Sequence, residues 1–397
     1  MALIYMVHDL DDPAVARRLR MLSMGGIVPV LLGFRRGPQP IRSIEGVACV
    51  DLGRTEDARL LARAGSVLRQ ALMLGRLRPH FEGARVILAR NLEMLVLAHL
   101  AKARFAPAAK VVFECLDVHA TLVARGPKGR AMRLIERRLL ARSAGLVVSS
   151  QAFVTHHFAA LGLKLPPVRL VENKVLEAEG SPNTLKPALP VTSQPALPVT
   201  SQPALPVTLQ PALPVGPPWR IGWFGVLRCR RSLAMLADLV RRFPGRVEVD
   251  LRGRPSRSAL PEFDAVVASH PGLVFHGPYD RARDLAAIYA AVHFAWTPDY
   301  YEEGANSDWL LPNRLYESGA HHTVALAQEA SETGRWLAAR GQGVVLASPL
   351  ERSLPAFMES LTASRFAGLR MTAGTARMSD FVCGTEEARN FVAWLNA

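Results

Sequence analysis

The sequence predicts an α/β protein built from two Rossmann-like, doubly wound domains that face each other across a cleft. Three observations lead there. Short apolar runs alternate with stretches of helical period, a proline-rich repeat interrupts the alternation near the middle, and the alternation then starts again. At 397 residues, with 49% hydrophobic and only 21% charged, the chain is long and apolar enough to bury two cores.

Before the repeat, ALIYMV, IVPVLL, VACVDL, RVILA, KVVFE and GLVVSS read as strands. Their almost unbroken apolar character suits parallel strands covered on both faces. Between them, PAVARRLRMLSMGG, EDARLLARAGSVLRQALML, NLEMLVLAHLAKARF and GRAMRLIERRLLARS carry apolar residues at helical spacing. Beyond the repeat, RIGWFG, RVEVDLRG, LVFHG, VHFAWTP, TVALA and GVVLA are strands, and RSLAMLADLVRRF, DLAAIYAA and LERSLPAFMESL are helices. The last helix, EEARNFVAWLNA, has Phe391, Val392 and Trp394 to bury, with the first domain as one surface available to it. The expected division is a first domain over 1–180, a linker over 181–218, a second domain over 219–380 and a closing helix over 381–397.

The linker contains PALPVTSQ twice, then PALPVTLQ, then PALPV, over Pro187 to Val215. Two prolines in every eight residues forbid a helix or a central strand, so the segment reads as an extended spacer without activity of its own. Cys49, Cys115, Cys229 and Cys383 form no CxxC or Cys/His pair, which predicts neither a zinc site nor a disulfide framework and fits a reducing cytosol. The start, MALIYMVHDLDDP, lacks a basic leader and reads as a first strand, and the most apolar long window is broken by Arg90, Glu93 and Lys102, so no membrane crossing is expected.

The net charge of +14 is unevenly placed: residues 1–180 hold 27 Lys and Arg against 15 Asp and Glu, whereas 181–397 hold 21 against 19. A cationic first half faces an anionic partner or simply serves solubility. Nucleic acid is the weaker choice, since no aromatic-plus-basic motif or helix-turn-helix pattern accompanies the charge. Residues 59–78, RLLARAGSVLRQALMLGRLR, set Leu61, Ala64, Leu68 and Leu72 on one side with five arginines and read either as an interfacial helix or as a helix packed on the sheet.

In open α/β sheets ligands bind at the carboxyl ends of strands, so the residues just after each strand hold the candidate chemistry. In GWFGVLRCRRSLAML, Gly225 permits a tight turn, the next helix offers free amides, and Arg228, Arg230 and Arg231 supply charge, a set suited to phosphate. GxGxxG and GxxxxGK[ST] are both absent, which disfavours dinucleotide oxidoreductases and P-loop NTPases. After KVVFE, the segment CLDVHATLVARG gathers Asp117 and His119 as candidates for a general base, with Glu114 and Arg125 nearby. His8 and Asp9 follow the first strand, and WLLPNRLYESGA sets Asn313, Arg314 and Glu317 between two apolar runs.

The segment VFHGPYDRARDLAAIYAAVHFAWTPDYYEEGANSDWLLPNRLYESGAHHTVALA resembles the donor half of bacterial GT-B glycosyltransferases of the family 4 type, in particular the exopolysaccharide, succinoglycan-type transferases. The resemblance runs from HDLDDPAVARRLRMLSMGG through LVENKV into the second domain and omits the proline repeats. It implies a GT-B fold with a metal-independent nucleotide-sugar donor site in the second domain and a saccharide or lipid-linked acceptor site in the first. Within it, Glu317 matches the glutamate that binds nucleotide ribose, and Asn313 or Arg314 would lie near the diphosphate. Glu302 or Glu303 would accept from the donor sugar, and Asn306 or Ser307 would donate to the phosphates; Asp117, then His119, would deprotonate the acceptor if the reaction inverts. His8, Asp9, Glu114 and Arg125 would line the acceptor side. This loop lacks the acidic residue followed by Phe-Gly that is commoner in the family. Two other classes stay open, a nucleotide-sugar 2-epimerase and a non-catalytic nucleotide-sugar-binding scaffold. Transferases of this kind act on polyprenyl-linked sugars, which implies a cytoplasmic enzyme held peripherally on the anionic inner membrane face by its basic half.

Overall fold

A computed structural model describes residues 2–55, 74–177 and 213–397. Most of the proline-repeat linker, and the part of the 59–78 segment up to residue 73, lie outside the described residues.

The first sheet is assembled from β1 (Leu3–Val7), β2 (Val30–Arg35), β3 (Ser43–Ile44), β4 (Val47–Arg54), β5 (Val86–Arg90), β6 (Lys110–Cys115), β7 (Gly145–Val148) and β8 (Val168–Leu170), in the order β3-β4-β2-β1-β5-β6-β7-β8. A further short strand, β9 (Val175–Leu176), leaves this sheet. All neighbours in the first sheet are parallel except the β3–β4 hairpin. Strand order reverses at β1 and β5, which opens the crevice above their carboxyl ends.

Period-two alternation divides these strands between two cores. Ile4 and Met6 join one cluster with Ile87, Ala89 and Phe113, while Leu3, Tyr5 and Val7 join the other with Val86, Leu88 and Val112. The helix Pro13–Met24 begins where Asp12 accepts from the Ala14 amide at 2.9 Å, with Pro13 in the first position, and it covers the second of these faces through Val15, Leu19 and Leu22.

The second sheet is fully parallel, with β10 (Trp219–Leu227), β11 (Val247–Pro255), β12 (Leu273–Phe275), β13 (Phe294–Trp296), β14 (Val324–Gln328) and β15 (Val344–Leu346) in the order β12-β11-β10-β13-β14-β15. Its switch point is β10/β13. Gly225, with φ +108°, lies inside β10, and the strand continues to Leu227 before helix Arg230–Arg242 begins, so the tight turn expected at Gly225 is instead a local deformation of the strand.

The chain returns to the first domain at its end. β16 (Val382–Cys383) pairs in parallel with β9, and helix Thr385–Asn396 seats Phe391, Val392 and Leu395 among Val15, Leu19 and Leu22. The approach is close: a Cβ on Gly25 would stand 2.5 Å from Val392 and 2.8 Å from the Ala388 carbonyl. The Arg18 guanidinium lies 5.1 Å above the Phe391 ring.

Phe391→Ala is expected to lower stability by about 3–5 kcal/mol, since the ring is fully buried beneath that helix. Urea unfolding measures it; a loss under about 1 kcal/mol would mean that the closing helix is not part of the first domain's core.

Candidate functional site

Beneath the crevice of the first domain lies a buried ionic cluster. Glu114, at the end of β6 and 0% exposed, accepts from Arg18 at 2.7 Å, Arg90 at 2.8 Å and the Tyr5 hydroxyl at 2.7 Å. Burial by itself would push its carboxyl up, but Arg90 and Arg18 outweigh that and hold it at about 2. Arg90 also reaches the Asp12 carboxylate at 3.4 Å and the Ala14 carbonyl at 3.3 Å, which ties β5 to the start of the first helix. Glu114 therefore differs from its expected place at the acceptor: it has no surface to offer, and both oxygens are engaged. Its role is to lock β1, β5, β6 and the first helix together. Asp9, also placed with the acceptor, is buried too, paired with Arg36 at 2.8 Å and accepting from the Asp11 amide at 3.0 Å. His8 is half-buried at the end of β1, and Arg125 is exposed on the turn between helices Ala120–Val123 and Pro127–Leu140.

Three residues beyond Glu114, Asp117 opens onto the cleft. Its carboxylate accepts from the Asn306 amide of the second domain at 3.2 Å, and the same Asn306 accepts from the Val118 amide at 3.0 Å. The Asp117 side chain is exposed to the cleft, yet the protein crowding the cleft walls around it desolvates the carboxyl and pushes its pKa up to about 6, opposed by the Asn306 hydrogen bond and by the charge of Arg228, and reinforced by Asp12 and Glu302. Asn306 is thus not directed at phosphates but joins the two domains at the candidate base. His119 caps a helix instead, its Nδ1 accepting from the Thr121 amide at 3.2 Å where Ala120–Val123 begins. A neutral ring bonded this way carries its proton on Nε2 and can donate but not accept there, which favours Asp117 over His119 as base.

The loop carrying Asn306 is anchored on the first domain. Ser150 donates to the Trp309 carbonyl at 2.5 Å, His156 stacks on the Trp309 ring at 5.7 Å, and Trp309 and Leu310 pack against the first domain's core. Within the loop, Ser307 donates to Asp299 at 2.8 Å and accepts from the Glu302 amide at 2.8 Å. Arg228 lies 4.4 Å from the Tyr301 ring centroid and Arg231 lies 4.3 Å from that of Tyr300. Arg231 also pairs with Glu303 and, at 2.7 Å, with Glu351, so these two expected donor contacts neutralise each other.

On the donor side, Glu317 is buried in helix Asn313–Ala320. It accepts from the Tyr289 hydroxyl at 2.9 Å and pairs with Arg281 at 3.1 Å, not with Arg314. Arg314 raises the local potential beside Tyr279 and Tyr289, and its Nη1 is buried without a hydrogen-bond partner among the described residues. Asn313 accepts from Arg17 of the first domain at 3.0 Å, while Arg17 also donates to the Asn173 carbonyl at 3.3 Å. The sequence pattern does not single out Arg281 and Tyr289, although their eight-residue spacing in a helical segment places them on one face. Nothing in the sequence signals Trp309, Ser150 or Arg17 as bridges between domains.

A search of family models returns no match. The succinoglycan biosynthesis protein ExoL of Rhizobium meliloti (strain 1021) is 43% identical over 368 residues, covering 92% of this chain and 86% of its own length. The chain belongs to the ExoL family of succinoglycan-biosynthesis glycosyltransferases. The sucrose-phosphate synthase of Thermosynechococcus elongatus superposes with a TM-score of 0.68 at 13% identity, over 100% of this chain and 98% of its own. Anabaena HepE in complex with UDP and glucose gives 0.66 at 12% identity over 98% of both chains, and WaaG, involved in lipopolysaccharide biosynthesis, gives 0.59 at 12% over 98% and 99%. These likenesses show the GT-B fold for the ExoL-family chain. The epimerase and scaffold readings gain no support from them.

In this ExoL-family chain, Glu114→Gln is expected to cost about 3–5 kcal/mol, because it leaves Arg18 and Arg90 buried beside a neutral group. Chemical denaturation at neutral pH measures the loss, and a change under about 1 kcal/mol would show that the cluster is not what holds the crevice together.

Proposed function

We propose that this protein transfers a sugar from a UDP-sugar to a saccharide acceptor carried on a membrane lipid, working at the cytoplasmic face of the membrane without a metal ion. The observation that carries this reading is the bridge from Asn306 to Asp117. It brings a carboxylate of elevated pKa, after β6 of one domain, against the acidic loop after β13 of the other, where a donor sugar and an acceptor hydroxyl can meet. The solved HepE complexes with UDP and with UDP-glucose support the choice of donor.

In this reading the ribose hydroxyls displace Arg281 from the buried Glu317 carboxylate, which Tyr289 keeps in place, and form charge-assisted hydrogen bonds worth about 1.5–3 kcal/mol each. The buried Nη1 of Arg314 has a donor that a phosphate oxygen would satisfy. Arg228 and the amino end of helix Arg230–Arg242 add positive potential for the departing diphosphate, which makes a metal ion unnecessary. Asp117 takes the acceptor proton as the acceptor oxygen bonds to the anomeric carbon and the bond to the diphosphate breaks; the configuration inverts if the acceptor attacks from the face opposite the diphosphate. His8 and Arg125 flank the acceptor, and His119 orients it through Nε2–H.

UDP at about 100 times its dissociation constant is expected to raise the melting temperature of the wild type by roughly 5–10 °C, with and without EDTA, and to leave Glu317→Ala unprotected. GDP and ADP run in parallel; protection of the variant, or of neither protein by any nucleotide, would sink the donor assignment, and loss of protection in EDTA would sink metal independence.

The pH dependence follows from the raised carboxyl of Asp117. The base form is present above about pH 6 and is lost as pH falls through that value, so kcat/KM should rise across pH 6. Asn306→Ala removes a hydrogen bond that lowers this pKa, so the acid limb should move to higher pH; Asp117→Asn should lose about 10²–10⁴-fold in kcat. Between the ordinary aspartate pKa and about 6 the folded chain holds a proton that the unfolded chain has released, so stability should fall as pH rises through this window in the wild type and stay flatter in Asp117→Asn. A pH profile that Asn306→Ala leaves in place would remove Asp117 from the role.

A further inference from the structure

The helix Pro127–Leu140 has an unusual distribution of side chains. Its inner side holds Glu136, 0% exposed and bonded to the His157 ring at 2.8 Å, together with Leu140 and the half-buried Met132 and Leu139. Arg133 turns back to the preceding segment, donating to the Leu122 carbonyl at 2.6 Å and the Ala124 carbonyl at 2.8 Å. The outer side carries Ala131, Leu134, Ile135 and Arg138, whose spacing of three, four and seven residues places them on one face. Leu134 and Ile135 are 46% and 45% exposed. Lys128, Arg130 and Arg137 border this strip, and with Arg138 they make no ion pair among the described residues. The single carboxylate of the helix is the buried one.

Two adjacent aliphatic side chains in the middle of an unpaired cationic face have an anionic, apolar complement. We propose that this helix lies in the headgroup region of an anionic bilayer, with Leu134 and Ile135 inserted and Lys128, Arg130, Arg137 and Arg138 on the lipid phosphates. Nucleic acid would use the cations but gain nothing from the aliphatic pair, and no aromatic residue stands on this face to stack on bases. With 14 residues the helix is too short to span a bilayer, and no helix among the described residues is long and apolar enough to do so.

The position of the helix suits the proposed function, on which this inference rests for its biological meaning. Arg133 ties the helix to the segment that follows Asp117, so a bilayer against its outer face would border the acceptor side of the cleft, where a lipid-borne saccharide would arrive.

The test is co-sedimentation of the full chain with vesicles of phosphatidylcholine with and without phosphatidylglycerol. Two variants are compared, Leu134→Gln with Ile135→Gln, and Arg130→Gln with Arg137→Gln and Arg138→Gln. Wild type is expected to prefer the phosphatidylglycerol vesicles, and each variant to bind them about tenfold or more weakly, with melting temperature, protection by UDP and transfer to a soluble acceptor analogue unchanged. Wild-type indifference to phosphatidylglycerol, or binding by both variants at the wild-type level, overturns the assignment. So does a variant that changes oligomeric state in the absence of vesicles while binding them as before, since a second copy of the chain would then be what covers this face. Soluble transfer absent in the wild type, with vesicle binding lost in both variants, counts against the proposed function and supports the docking helix.

Discussion

The carboxylate of Glu114 is the point on which the first domain closes. It sits where three strands and a helix converge, and each of its partners arrives from a different element: Tyr5 from β1, Arg90 from β5 and Arg18 from the first helix. Two guanidinium groups can stay in this interior only because Glu114, with Asp12 beside Arg90, matches their charge. The cluster consequently fixes where the first helix begins and how β6 ends. Three residues later that strand end delivers Asp117 to the cleft, so the geometry of the exposed carboxylate is inherited from the buried one.

The cleft belongs to neither domain alone. Asn306, 189 residues from Asp117 in sequence, sets the carboxylate's environment, and Trp309 is held by Ser150 and His156 of the opposite domain. Arg17 does the same in the other direction by engaging Asn313. Contacts of this kind make the relative position of the domains a determinant of the candidate base. A small rotation that separated Asn306 from Asp117 would remove a hydrogen bond that lowers the carboxyl's pKa, and so change the protonation of the cleft.

The main strands are legible in the sequence because parallel strands buried on both faces must be continuously apolar, and every run that reads this way lies on a strand. The strands β3, β8, β9 and β16 are not: they span two or three residues, and no apolar run bounded by turn signals marks them as it marks the equally short β12, β13 and β15. The candidate site is legible only as a set of positions: Asp117, Arg228, Arg314 and Glu317 are candidates because they stand after strands or at the start of a helix. Glu114 is not, because a glutamate at a strand end looks the same in sequence whether its partners are a ligand or arginines 24 and 96 residues away. Asn306 deceives for the reverse reason. Its loop suggests phosphate donors, whereas docking against a distant segment gives it a carboxylate and an amide instead.

The return of residues 382–396 to the first domain also orders events in time. A chain emerging from the ribosome exposes Leu19, Leu22 and Leu31 long before Phe391 and Val392 exist to cover them. At about 5–20 residues per second, roughly 10–40 s separate synthesis of β9 from that of the closing helix. Throughout that interval the amino-terminal half has one face incomplete, while the residues of the second domain's own large core, Trp219 to Ala373, are still being added. Maturation of this chain therefore runs against the direction of translation, with the half made first completed last.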